Sequence, residues 1–112
     1  MSDSRDSERV PILGDLRGEI TVLEPLTVKE LGRGGATIET TFRLPLNSLH
    51  DIRLTLGEQT IVVKSRVVHS HISEVGQDVV SYHTGLEFVE PPPYVGAAIT
   101  RYLDDVRTQR HG

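Results

Sequence analysis

From Val10 onward the chain alternates short apolar runs with glycine, proline and asparagine, and most of the runs have the two-residue period of strands. Leu16 to Leu23 places Leu16, Ile20 and Val22 on one side, and Glu24-Pro25 then reads as a turn or an edge. Leu26 to Leu31 alternates again, ahead of a loop at Gly32-Arg33-Gly34-Gly35. Ala36 to Thr41 is rich in β-branched residues and resumes a strand. Phe42 to His50, with Pro45 and Asn47-Ser48, reads as a connection. Asp51 to Leu56 is the plainest half-buried strand, with Ile52, Leu54 and Leu56 inward and Asp51, Arg53 and Thr55 outward. Gly57-Glu58 turns the chain into a long strand, Thr60 to His71; Ser73 to Gln77 forms a hairpin loop, and Val79 to Val89 returns with Tyr82, Thr84, Leu86 and Phe88 on one face.

The period changes after Pro91-Pro92-Pro93. Val95, Ile99, Tyr102, Leu103 and Val106 recur at helical spacing, which predicts a helix over about 93–110. Prolines suit its start because the first amides of a helix lack partners within it, and Arg107 and Arg110 lie at the end favoured by the dipole. The apolar stripe is expected to dock on the chain's own strands. Met1 to Arg9 carries no hydrophobic period, so residues 1–9 are expected to be a flexible arm and 10–112 one β-domain with its C-terminal helix.

Composition narrows the function. At 112 residues there is room for one core, and a net charge of −4 argues against a general nucleic-acid binder, which works largely by neutralising phosphates. An anion site must then be local. Of the basic residues only Lys29 and Lys64 are lysine; all others are arginine, whose planar fork suits bidentate recognition of phosphate and guanine. Cysteine is absent, which excludes disulfides and thiolate metal sites. No run is apolar enough to insert in a membrane and the N-terminus has no apolar signal segment, so a cytoplasmic location is expected.

Enzyme chemistry finds little support. His69 and His71 point to one side of a strand as a metal pair would, but the sequence offers no third ligand and strand histidines are more often simply surface residues. Asp104 and Asp105 are helical neighbours facing different ways, which makes no acid–base pair. No nucleophile-elbow, Walker or zincin pattern occurs, so the chain is expected not to be an enzyme and to need no cofactor or metal.

Two features remain: Arg5-x-x-x-Arg9 ahead of the first strand, and Glu30-Leu31-Gly32-Arg33-Gly34-Gly35 between two strands, followed by Ala36-Thr37-Ile38. Together with Lys64 to Ser70 (KSRVVHS) and Ser81 to Glu90 (SYHTGLEFVE), they resemble the PilZ family over nearly the whole chain. That family carries an R-x-x-x-R arm and a [D/N]-x-S-x-x-G turn. Arg5 and Arg9 match the first; in the second, Gly35 falls on the glycine, Glu30 on the Asp/Asn and Gly32 on the serine.

The resemblance implies an all-β fold, a six-stranded antiparallel barrel with a C-terminal helix, that binds cyclic di-GMP. Its arm would fold over the barrel as an ordered clamp and signal to a downstream protein partner. Arg5 and Arg9 would donate to phosphates and guanine edges, Glu30 would accept from guanine, and Gly35 would supply a turn at positive φ. Arg33, outside the pattern, is either a compensating phosphate donor in the loop or an exposed turn arginine. Two positions depart from the pattern. Glu30 extends the carboxylate by a methylene and Gly32 lacks the hydroxyl; a neutral hydrogen bond is worth about 0.5–1.5 kcal/mol, so the two changes together predict roughly 10–100-fold weaker binding. Gly32→Ser is accordingly expected to tighten it. The alternative within the fold is a protein adaptor that has lost the nucleotide.

Overall fold

The computed structural model describes residues 8–13, 16–20, 24–76 and 79–111. Among them the chain forms β1 (Val10–Pro11), β2 (Arg17–Ile20), β3 (Glu24–Leu31), β4 (Gly35–Thr40), β5 (Leu49–Leu56), β6 (Gln59–Val75), β7 (Val80–Phe88) and a helix, α1 (Pro93–His111). Strands β3-β2-β5-β6-β7-β4 follow one another around a ring that the β3–β4 pairing closes. Every pairing is antiparallel. The result is a closed six-stranded barrel, with β1 as a short extra strand on the end of β3, where Val10 faces Leu31 and Pro11 faces Glu30. Closure leaves the six strands few exposed edges.

The alternation read from the sequence is what fills the barrel. Ile52, Leu54 and Leu56 of β5, Ile61, Val63 and Val67 of β6, Leu86 and Phe88 of β7, and Val28, Leu31 and Ile38 of β3 and β4 are all buried in one cluster. Fully burying a side chain of this size stabilises a fold by about 1.5–3 kcal/mol. The buried polar side chains are bonded. Thr40 Oγ1 donates to the Phe42 carbonyl at 2.5 Å, Ser65 Oγ to the Val63 carbonyl at 3.3 Å, and Thr84 shares a 3.4 Å bond with Ser70. Helix α1 lays Val95, Ala98, Ile99 and Leu103 into the same cluster and packs against β5 and β6. Tyr102 flanks this seam, and burial raises its phenol above the ordinary value.

Three elements differ from the sequence reading. Pro25 lies inside β3, paired with Glu19, so Glu24-Pro25 begins a strand where a turn was expected. Exposed and second in the strand, it gives up a ladder donor where the loss is small. β6 runs to Val75, four residues past His71. Its register shifts between Val67 and His69, a bulge that leaves Val68 and His69 both exposed and breaks the two-residue period. The Gly32–Gly35 hairpin turns without positive φ; the described glycine that needs it is Gly57, at φ 66° in the β5–β6 turn.

Ile99 is fully buried under the helix. Ile99→Ala is expected to lower stability by about 2–5 kcal/mol in urea unfolding, with an unchanged dependence on denaturant. A loss below ~1 kcal/mol would mean that the helix is not docked on the barrel in solution.

Candidate functional site

The β3–β4 hairpin carries the altered turn. Gly32 N–H donates to the Gly35 carbonyl at 2.9 Å, with Arg33 and Gly34 at the tip. Leu31 and Ala36 face inward, so Gly32 and Gly35 face outward together with Glu30 and Thr37 of the next row. Gly35 is paired with Glu87 of β7, which extends the same outer surface across a third strand. At Gly32 and Gly35 this surface has no side chain.

The base of the N-terminal segment lies in that gap. A Cβ on Gly32 would run into the backbone carbonyl of Glu8 and stand 3.2 Å from Arg9 Nη1. One on Gly35 would run into the Leu86 carbonyl and stand 2.6 Å from Arg9 Nη2. The Arg9 guanidinium therefore spans the two glycines. Its Nη1 is buried and has no hydrogen-bond partner among the described residues. A buried guanidinium nitrogen without an acceptor is expensive, and such a donor marks a place where an acceptor is wanted.

Helix α1 closes the other side. Glu8 accepts from Arg107 Nη2 at 3.2 Å, and Arg107 Nη1 also lies 3.6 Å from Asp104. The Arg33 guanidinium runs beside the helix at Gly96, where an added Cβ would be 3.4 Å from its Nε. Glu8, Val10, Gly32, Arg33, Leu103 and Arg107 are among the residues around a cavity of about 110 Å³ between arm, hairpin and helix. That is small beside the ~300–1,000 Å³ of an ordinary ligand pocket.

Arg9, Gly32 and Gly35 thus meet in one place. Arg33 stands at its rim and Glu30 one row along the same face, next to Pro11 and Thr37. Arg5 lies outside the described residues. The structure corrects two expectations about the glycines. Gly35 is needed for close approach to Leu86 and Arg9, not for a positive φ. Gly32 has no room for a serine side chain while Glu8 stays where it is, so Gly32→Ser would displace the arm rather than restore a bond in place.

Sequence reading missed Glu8 and Arg107 as a pair, and no local signal joins residues 99 positions apart. It also missed the third histidine. His83 stands across from His71, with ring centroids 5.7 Å apart and the His69 and His71 rings at 6.2 Å. His83 Nε2 pairs with Glu39 at 3.1 Å, and the His69 ring covers Gly85. Among the described residues no three such groups are placed to hold a metal ion. No described helix is long and apolar enough to cross a membrane.

Comparison with known proteins adds the family. The PilZ domain family model matches residues 3–105. Among solved structures, MrkH of K. pneumonia in its apo state superposes at TM-score 0.75 with 20% identity, covering 100% of this chain and 55% of that one. YcgR from Escherichia coli in complex with c-di-GMP gives a TM-score of 0.73 at 10% identity, over 93% of this chain and 46% of that one. The PilZ domain of YcgR with c-di-GMP gives 0.70 at 10% identity, over 91% and 88%. The chain spans about half the length of MrkH. At these identities the likeness establishes the fold. No curated protein matches the sequence.

Gly35→Ala is expected to cost about 1–3 kcal/mol in chemical denaturation, since the methyl meets a strand carbonyl that cannot move alone. Gly32→Ser is expected to fold, with NMR shift changes concentrated at Glu8, Arg9 and Arg107 as the arm base lifts. Shifts confined to the hairpin would show that the arm does not lie on it.

Proposed function

This chain belongs to the PilZ domain family, and on that footing we propose that it is a receptor for cyclic di-GMP. The observation that carries the proposal is the Arg9 guanidinium, laid over two glycines with a buried Nη1 that finds no acceptor among the described residues. A phosphate oxygen or the O6/N7 edge of guanine supplies the acceptor that this donor lacks. The side-chain-free surface at Gly32 and Gly35 lets a flat group come close to the backbone.

In this reading residues 1–9 are an arm and 10–112 the barrel with its helix. Arg5 and Arg9 grip the ligand, Glu30 accepts from a guanine edge, Arg33 adds a donor at the rim, and Gly32 and Gly35 give the floor. In this reading the arm base, which lies over Gly32 and Gly35, moves when the ligand binds. Closing it again over the ligand reshapes the surface offered to a protein partner. Ordering the arm costs entropy, which makes the affinity sensitive to it. The membership and the solved complexes of YcgR support this reading.

One observation favours the second reading, an adaptor that binds protein without nucleotide. The β6–β7 hairpin ends in exposed Ile72, Val75 and Val79, at 57%, 70% and 53% exposure. Apolar residues gathered at one projecting end suit a protein contact.

Calorimetric titration with cyclic di-GMP at moderate salt separates the two. A receptor gives micromolar or tighter binding, about −8 kcal/mol or better. Arg9→Ala and Arg5→Ala abolish it without lowering the unfolding midpoint, since Arg9→Ala removes a buried donor that is unsatisfied among the described residues. No heat up to ~100 μM ligand at two temperatures, which guards against an enthalpy near zero, sinks the receptor reading and leaves the adaptor.

A further inference from the structure

Arg107 belongs to neither sequence motif, yet it points into the same cavity as Gly32 and Arg33. It comes from the next-to-last turn of α1 and holds Glu8 through Nη2 at 3.2 Å. The Glu8 carbonyl, from the same residue, presses on Gly32. Glu8 is therefore fastened at both ends, by its backbone on the hairpin and by its carboxylate on the helix. It forms one wall of a space of about 110 Å³ between hairpin and helix. A ligand phosphate that takes Arg107 Nη2 as its donor has to displace Glu8 from it.

When Glu8 leaves, Arg107 loses an acceptor at the moment a phosphate arrives. A phosphate offers a guanidinium the same paired oxygens as a carboxylate, and a pair covered by a bound ligand is screened less than the exposed pair with Glu8. The pair is suited to exchange because it is loosely held, with Arg107 47% and Glu8 54% exposed. Asp104, one turn back at 3.6 Å from Arg107 Nη1, stays with the helix and keeps the guanidinium oriented toward the cavity.

We propose that Arg107 is a phosphate-binding residue contributed by the helix, and that Glu8 occupies its phosphate position until the ligand displaces it. The proposal rests on the receptor reading above. It makes Glu8, set between the two arm arginines, a built-in competitor rather than a solvated acid. It also couples the helix to the ligand, because the helix then holds a phosphate and no longer holds the arm.

The test is a titration of the full chain with cyclic di-GMP in four forms: unsubstituted, Glu8→Gln, Arg107→Ala and the double variant. Glu8→Gln is expected to tighten binding about three- to fivefold, as removal of a weak exposed competitor should. Arg107→Ala is expected to weaken it about tenfold, with Arg107→Lys between the two because it keeps the charge and loses the fork. In the double variant the gain from Glu8→Gln should vanish, since no guanidinium remains to be released. Thermal melts of the free proteins confirm that each variant is folded, and Arg107→Gln replaces any that is not. Unchanged or tighter binding by Arg107→Ala overturns the proposal. So does an equal gain from Glu8→Gln in both backgrounds, which would make Glu8 a general field effect. If the unsubstituted chain gives no binding, the receptor reading fails and takes this one with it. Binding that needs Arg9 but ignores Arg107 defeats this one alone.

Discussion

The arrangement of this protein's proposed binding face depends on close approach at the β3–β4 hairpin, where two outward positions have no Cβ. Because Gly32 and Gly35 leave that space open, the backbone of Glu8 and the side chain of Arg9 can lie against the barrel wall. The position of Glu8 in turn brings its carboxylate to Arg107 on the helix. Arm, hairpin and helix are thereby joined through a contact that no larger residue at position 32 would allow. The alanine that follows, Ala36, faces inward and is buried, so the hairpin is fixed from below by the core and left bare above.

Strands with one face to water were legible in the sequence, and those without were not. β5 alternates in both pattern and burial because every second residue meets solvent. The far half of β6 has no such rule. Once the bulge at Val68 breaks the phase, the hairpin projects beyond its neighbour β5, whose pairing ends at Arg66. His69, Ser70, His71 and Ile72 therefore lack a full core face that could impose a period. Pro25 misled for a different reason. Proline argues against a central strand only where its missing N–H would be used, and at the second residue of β3 little is lost.

The site was legible where residues are close in sequence. Arg9, Gly32 and Gly35 were singled out by the resemblance of their two short motifs to the family's, and the fold brings the three together. The reason assigned to Gly35 did not survive, since turn chemistry and steric access both select glycine and a sequence does not separate them. The pairs joined only by the fold, Glu8 with Arg107 and His83 with His71, carried no mark at all. A charged residue in the last turns of a helix reads as a dipole complement whether or not it meets an acid from the far end of the chain.

The two arginines at this site stand in different energetic positions, and that difference bears on how the proposed ligand would be held. Arg107 already has acceptors in exposed surroundings, where an ion pair is worth about 0–1 kcal/mol. Arg9 Nη1 is buried and has none among the described residues. An acceptor arriving at Nη1 relieves a desolvation penalty of roughly 1–3 kcal/mol as well as making a bond. The altered turn sharpens the contrast. With no hydroxyl at position 32, the hairpin offers the ligand less, and a larger share of the binding energy must come from Arg9. The space left at both glycines is what lets the arm base lie there, Glu8 against Gly32 and the Arg9 guanidinium against Gly35.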